Sequence, residues 1–534
     1  MAKNINENGE ASKMSFLVVE YLLVIFFKLI YIIWYLPRVL MGMCRRKKVC
    51  VPLNDPPEIM QISGIELAKR IANKEVTCKF VFESYINRIK EVNPILNAVV
   101  EDRFEQALNE AVHLDEQIKT SDKTAEQWLE EFPLLGVPLT VKESIAVNGM
   151  SHTAGYFLAA GRRAKEDAEI IEPCRKAGAI IIAVTNTPEL CLNWESHNNL
   201  IGTTNNPYDS RRTSGGSSGG EGALLGAGAS VVGIGSDLGG SLRLPAHYCG
   251  VFSHKATAHV VSTVGHFPGC GDTEKWNSHF TLGPMCRYAT DLLPMMRIVT
   301  KDEFKPTLNL TSEVDISKIK IYFLKNYGSI LTSNLDPQIS TGLDFLLDHF
   351  KIKYNLNVQP LERKFFKNSV IPALHALIQI KDVEFERPKG LFCGLLKMLF
   401  NCSNITLNTY IYLLLEKYGR SLPESTYIKC NNSLDELRNE LETILGDDAV
   451  LIMPTFHRPA DYHYTTMPRV LNTMNTLVFN SIGLPVTCCP IGFNSDGLPF
   501  GVQVISKRFN DRLSIAVAEE IENICGGWKM PRKK

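Results

Sequence analysis

Between Gly215 and Gly240 glycine recurs at almost every second or third position, with alanine and serine between. Such a stretch buries little apolar surface and forfeits backbone entropy on folding, so a chain that folds it must have a use for it. Glycine supplies positive φ angles and close approach of backbone to a ligand, and Gly239-Gly240 ahead of Ser241 can turn consecutive N–H groups toward one point. An oxyanion hole is built in that way. The same segment carries Ser217 in GGSSGG, and Lys142 stands upstream in GVPLTVKES. A lysine and two glycine-flanked serines are the parts of a proton relay ending in a nucleophile.

Three other readings of the glycines compete. A glycine and serine run is a flexible linker in many chains. GGSSGG also satisfies G-x-S-x-G with Ser217 or Ser218 at its centre, but the nucleophile elbow needs a buried strand immediately before it, and NNPYDSRRTS supplies polar and turn residues. A phosphate-binding loop fails because no Lys-Ser or Lys-Thr follows the glycines.

The rest of the composition narrows the class. With 57 basic against 57 acidic residues there is no electrostatic case for nucleic acid, and 45% apolar content supports a sizeable core. The fourteen cysteines have no paired spacing and read as free thiols. No HExxH or four-ligand Cys/His cluster occurs, so neither a metal nor another cofactor is expected; histidines such as His254 and His279 read as surface or satisfied core residues. At about 150 residues per domain the length would suggest several domains, but Lys142 and the serines must converge, which favours one large domain over residues 60–534.

Helices and strands alternate along this domain. Ser63 and Glu66 form a capping-box pattern opening a helix with Leu67, Ala68 and Ile71 on one face. A second helix follows Thr77, with Val81, Tyr85 and Ile89 four apart. Residues 179–184 and 319–324 read as strands, and Asp336-Pro337 opens a helix bearing Ile339, Leu343, Leu346 and Phe350. Alternation of this kind predicts an α/β sheet covered by helices on both faces.

Taken in order, GVPLTVKES, TNTPEL at 185–190, GGSSGGEGALL from Gly215, GSDLGGSLRLPA from Gly235, TLGPMCRYATDL from Thr281 and NSIGLPVTCCPIGFNSDGLPFGVQ from Asn480 resemble the amidase signature family, and within it the membrane-anchored fatty-acid amide hydrolases. The chain departs from that pattern at Ser253-His254-Lys255-Ala256-Thr257, and Pro173 interrupts an expected helix before the 179–184 strand. The resemblance implies a mixed central sheet and cleavage of an amide C–N bond through an acyl-enzyme. It makes Ser241 the nucleophile, Ser217 the proton shuttle across a cis Gly216–Ser217 peptide, and Lys142 the base, with no cofactor. The N–H groups of Leu238, Gly239, Gly240 and Ser241 would hold the oxyanion. Ser218 is expected to brace the loop, as are Asp237 and Arg243, paired as ions. For Lys142 to act it must be neutral, which means lowering its pKa from about 10.4 by roughly 3 units, a differential of about 4 kcal/mol. Desolvation beside Val137, Leu139 and Val141 would do so, and Glu143 would oppose it if close.

The N-terminus is of another kind. A tail over 1–13 precedes a strongly apolar stretch over 14–43, long enough to span a bilayer at roughly 20 residues, and a basic linker over 44–59. The run is longer than a signal peptide's and ends in Pro37-Arg38, although Lys28 at its middle keeps an interfacial helix open. Positive charge after it at Arg45, Arg46, Lys47 and Lys48 favours a cytosolic catalytic part, while sequons at Asn309, Asn401, Asn404 and Asn431 point the other way; the expected membrane is endoplasmic reticulum or lipid droplet. An anchor beside an amidase site suggests a lipid amide as substrate and the membrane as partner; a homodimer stays open. Apolar runs at 391–400 and 410–415 read as ordinary core helices rather than as an acyl channel. An esterase, an amidase acting on another substrate, a role in a transamidation complex and an inactive membrane scaffold are the alternatives.

Overall fold

The computed structural model describes residues 48–51, 57–326, 332–363, 369–390, 403–419 and 423–531, with isolated positions between 22 and 40 and at 366, 394, 397 and 421. The membrane-helix expectation for 14–43 therefore falls mostly outside the described residues. Of that segment, Leu22, Ile25, Phe26 and Leu29 are helical and exposed. No helix among the described residues is long and apolar enough to cross a membrane.

The frame is an eleven-stranded mixed sheet. Its strands in chain order begin with β1 (Val99–Asp102), β2 (Pro138–Lys142), β3 (Ile180–Thr185) and β4 (Val232–Asp237). They continue with β5 (Phe252–Lys255), β6 (Thr281–Cys286), β7 (Lys320–Phe323) and β8 (Val358–Pro360). The last three are β9 (Ala449–Pro454), β10 (Val486–Phe493) and β11 (Pro499–Ile505). Across the sheet the order is β1-β3-β2-β4-β6-β5-β10-β11-β9-β7-β8. Parallel pairs join β3, β2 and β4 on one side and β9, β7 and β8 on the other, while the strands between pair antiparallel. Strands β2, β3, β4 and β6 are buried at every residue, as strands covered on both faces are.

The helices that matter to the site are α1 (Gly64–Ala72), α2 (Cys78–Leu96), α3 (Gly219–Gly226), α4 (Arg243–Cys249) and α5 (Pro337–Tyr354). They are followed by α6 (Val370–Ile378), α7 (Leu407–Gly419), α8 (Glu424–Leu445), α9 (Met474–Ser481) and α10 (Asp511–Cys525). Helices α3 and α4 pack against β4 and β11, and α10 against β10. Helix α6 packs on α7, α8 and α9 around a second apolar cluster containing Leu434, Leu441, Leu477 and Phe479.

Local expectations hold in outline. Val81, Tyr85 and Ile89 on α2, and Ile339, Leu343, Leu346 and Phe350 on α5, are all buried. The Asp336 side chain caps α5 and Pro337 occupies its first turn. Two details differ. The Ser63 hydroxyl accepts the Glu66 N–H at 3.1 Å, but the Glu66 carboxylate turns to Arg70 at 3.2 Å, so the reciprocal half of the capping box is replaced by an ion pair one turn along. Pro173 sits in a six-residue helix, Ile171–Lys176, without interrupting it, because it falls in the first turn, where backbone N–H groups have no intrahelical acceptor.

Candidate active site

Lys142 is the last residue of β2, held between β3 and β4 and completely buried. Its Nζ lies 2.6 Å from Ser217 Oγ and 2.8 Å from Ser236 Oγ. Burial drives the amine below its ordinary range, while the nearby Cys191 thiol, Asp237 and Glu221 pull it back up. Glu143 does not oppose it: that side chain accepts from Ser151 Oγ at 2.7 Å and from the Thr153 N–H at 2.6 Å. The nearby acid that sequence reasoning missed is Glu221 on α3, buried between the hydroxyls of Thr140 (2.6 Å) and Thr185 (2.7 Å). Burial raises it to about 7, against those two hydroxyls and Lys142.

Ser236 was missed as well. It precedes Asp237 at the end of β4, and no motif marks it; only the lateral pairing of β4 with β2 brings it to Lys142.

The serine loop leads directly into α3, with Ser218 at its N-cap. The Gly216–Ser217 peptide is cis, and a Cβ on Gly216 would lie 2.6 Å from the Asn193 carbonyl oxygen, so no larger residue fits there. Ser218 Oγ accepts the Ser236 N–H and donates to the Ser236 carbonyl, both at 3.3 Å, clipping the loop to β4.

Ser241 sits in the turn that leads from β4 into α4, so the strand–turn–helix geometry sought at Ser217 and Ser218 belongs to this serine instead. Asp237 and Arg243 brace the turn, both fully buried and joined by two bonds, Nη2 to Oδ1 at 3.0 Å and Nε to Oδ2 at 3.1 Å. Burial alone would raise the Asp237 carboxyl; Arg243 and the Gly240 N–H hold it at about 2. Arg243 also donates to the Thr476 carbonyl at 3.1 Å and Asn480 Oδ1 at 2.6 Å, tying the turn to α9. Gly240 has φ +113° and would drive a Cβ to 2.3 Å from Thr476 Oγ1. Its N–H does not match the oxyanion role given to it, because it already donates to Asp237 Oδ1 at 2.7 Å. Leu238, Gly239 and Ser241 line the cavity, and Gly240 does not.

No hydrogen bond joins Ser217 to Ser241 among the described residues, though both open on the same cavity. A histidine–aspartate pair does exist, His254 Nε2 to Asp511 Oδ1 at 3.0 Å, but it is fully buried, also engages Thr487, and lines no part of this cavity. His254 is thus a satisfied core residue. His266 does line the cavity, and burial, with Lys142 nearby, lowers it to about 3, which keeps its imidazole neutral.

The cavity wall is mostly apolar, with Leu377 from α6, Ile411 and Leu415 from α7, Leu477 from α9 and the rings of Trp276 and Phe280, and its uncharged polar groups beside the serines include Asn193, Asn408 and Thr466. No Asp, Glu, Lys or Arg lines it among the described residues. The 410–415 run, read as ordinary core, therefore divides: Tyr410 packs inward against Tyr156 and Leu190, while Ile411, Tyr412 and Leu415 face the cavity. Most of 391–400 lies outside the described residues.

The amidase family model matches residues 81–328 and 357–514. The chain is 37% identical to fatty-acid amide hydrolase 2-A of Danio rerio and 37% identical to fatty-acid amide hydrolase 2 of Homo sapiens, in each case over 90% of this chain and 92% of the relative. A solved fatty acid amide hydrolase superposes with a TM-score of 0.73 at 22% identity, covering 94% of this chain and 97% of the other. The buried lysine, the cis-linked serine and the braced glycine turn thus lie within a sequence match that spans most of the chain, and the chain belongs to the amidase signature family of amide hydrolases.

Proposed function

We propose that the chain is a membrane-anchored serine hydrolase that cleaves fatty-acid amides to a fatty acid and ammonia or an amine. The observation that carries this reading is a fully buried amine bonded to two serine hydroxyls, with a thiol and no paired carboxylate beside it, next to a cavity with no charged side chain among its described lining residues. A neutral, apolar substrate suits such a wall; a substrate bearing a carboxylate or ammonium would be desolvated there without a partner.

In this reading Lys142 Nζ, held neutral by burial, accepts the Ser217 hydroxyl proton as Ser217 takes that of Ser241. The Ser241 oxygen attacks the amide carbonyl, and the N–H groups of Leu238, Gly239 and Ser241 receive the oxyanion, at about 2.7 to 4 kcal/mol per donor. The Ser217–Ser241 link forms when substrate closes the site, as catalytic hydrogen bonds commonly do. Return of the proton through Ser217 to the nitrogen releases the amine, and water then cleaves the acyl-enzyme by the same route. The apolar wall takes the acyl chain, and residues 14–43 hold the catalytic part, residues 60–534, at the membrane that supplies it.

Labelling with a serine-directed fluorophosphonate followed by mass spectrometry tests the assignment. Label is expected on Ser241, abolished in Ser241→Ala and slowed in Lys142→Ala; label on Ser218, or none on folded protein, overturns it. Hydrolysis of primary and ethanolamine fatty amides against matched esters and short amides tests the substrate class. Deleting residues 1–43 is expected to release the protein from carbonate-washed membranes.

A further inference from the structure

Neutral lysine has one lone pair and two N–H bonds, and the two hydroxyls on Lys142 are close enough to take different parts, Ser217 Oγ at 2.6 Å and Ser236 Oγ at 2.8 Å. If the lone pair is to face Ser217, an N–H must face Ser236. A hydroxyl accepting there fixes rotation about the Cε–Nζ bond, which otherwise has three staggered wells of similar energy. When the relay delivers its proton, Nζ becomes an ammonium inside a fully buried site, and a hydroxyl already aimed at it becomes the acceptor of a charge-assisted bond. An interaction stronger in the transition state than before it raises the rate.

We propose that Ser236 is a positioning residue for the base: it orients the Lys142 amine toward Ser217 and holds the ammonium that forms, with Ser218 fixing the Ser236 backbone from both its N–H and its carbonyl. This rests on the relay reading above. The other groups near the Lys142 amine are the Cys191 thiol, the Asp237 and Glu221 carboxyls and the His266 imidazole. Asp237 is engaged with Arg243, Glu221 with two threonine hydroxyls, and His266 Nδ1 with the Pro268 carbonyl at 3.0 Å. Cys191 contacts Thr187 Oγ1 at 3.3 Å. That thiol also reaches the amine, as a weaker acceptor than a hydroxyl, so Ser236 is the remaining hydroxyl beside Ser217 among the described residues.

The test is the pH dependence of hydrolysis of a fatty amide by the full chain with Ser236→Ala and Ser236→Thr. Ser236→Ala is expected to lower kcat about ten- to a hundredfold, the range for losing a hydrogen bond to a charged group, with KM little changed. The acid limb of kcat/KM moves to lower pH, because losing an acceptor disfavours the protonated amine. Ser236→Thr restores both. The comparison is repeated in a Cys191→Ala background, so that a thiol titration is not taken for that of the amine. Should Ser236→Ala not fold, Ser236→Cys, a weak acceptor of similar size, is read the same way. A wild-type acid limb in folded Ser236→Ala or Ser236→Cys, or a threonine that fails to rescue, overturns the proposal. Fluorophosphonate label on Ser241 alongside that result leaves the relay standing without Ser236; label elsewhere removes both.

Discussion

Lys142 and Arg243 are both fully buried at this site, and adjacent residues of β4 serve them. Ser236 faces the lysine and Asp237 the arginine, since consecutive strand residues project to opposite sides of a sheet. Arg243 receives a carboxylate through two parallel bonds and stays charged; a guanidinium cannot lose its proton in a protein. Lys142 receives two hydroxyls and the Cys191 thiol but no bonded carboxylate, so burial is the largest influence on its pKa and lowers it. The difference teaches that the partner type, one residue apart on the same strand, turns one buried basic side chain into a brace and leaves the other able to exchange a proton.

The largest expected effect breaks the comparison on the lysine side. Lys142→Met removes the base and is expected to lower kcat about 10²- to 10⁴-fold, the usual contribution of general-base catalysis. Its effect on stability should have the opposite sign. A lysine whose folded pKa lies below its unfolded value of about 10.4 binds fewer protons folded than unfolded, so it destabilises at every pH below that value. The cost grows as pH falls toward the folded pKa and is constant below it. Lys142→Met should therefore raise the unfolding midpoint at neutral pH, and the gain should shrink by pH 10. Equal or lower stability at pH 7 would mean that the amine has a carboxylate partner after all.

Arg243→Met attacks the other side. It leaves Asp237 charged and unpaired in a fully buried position, which typically costs about 3 to 5 kcal/mol. Chemical denaturation would measure that loss, and adding Asp237→Asn should recover part of it. The wild-type pair has its own pH signature. Asp237 is depressed to about 2, so its contribution is complete above its unfolded value of about 3.9 and is lost as pH falls through about 2. That acid limb of stability should be absent from the Asp237→Asn variant.

How much of this was legible in the chain follows the same division. Lys142, Ser217 and Ser241 stand in motifs whose glycines and flanking apolar residues mark them, and the Asp237–Arg243 pair spans one turn of local sequence. The alternating helix and strand periods predict the layered α/β architecture, while the mixed pairing of its sheet was implied only by the family resemblance. Ser236, Glu221 and the cavity-facing side of α7 could not be read, because each depends on lateral neighbours. Ser236 meets Lys142 only through the β2–β4 pairing, and Ile411 and Tyr410 part company only once α7 is docked. Glu143 misled for the converse reason: it is adjacent in sequence to Lys142 but is bonded to Ser151 and Thr153, away from the amine. The Gly240 N–H was assigned to the oxyanion from its place in the turn, whereas the turn's own bracing by Asp237 already uses it.

Glu221→Gln carries the smallest expected effect and tests whether the lysine is truly without a carboxylate. Burial raises Glu221 to about 7, with the Thr140 and Thr185 hydroxyls and Lys142 pulling it down. The folded state therefore keeps this proton longer than the unfolded state, where the pKa is about 4.3, and stability should fall as pH rises from about 4.3 to about 7 and then level off. Glutamine does not titrate, so the variant should lack that decline, a difference of at most about 4 kcal/mol across the window. The threonine hydroxyls can rotate to accept from the amide as readily as they donate to a carboxylate. If no carboxylate is paired with Lys142, kcat should stay within a small factor of wild type, with the acid limb displaced slightly to lower pH by loss of the distant negative charge. A collapse of kcat in folded Glu221→Gln would instead make Glu221 a counter-ion of the base, and the contrast between the two buried basic side chains would become one of distance rather than of kind.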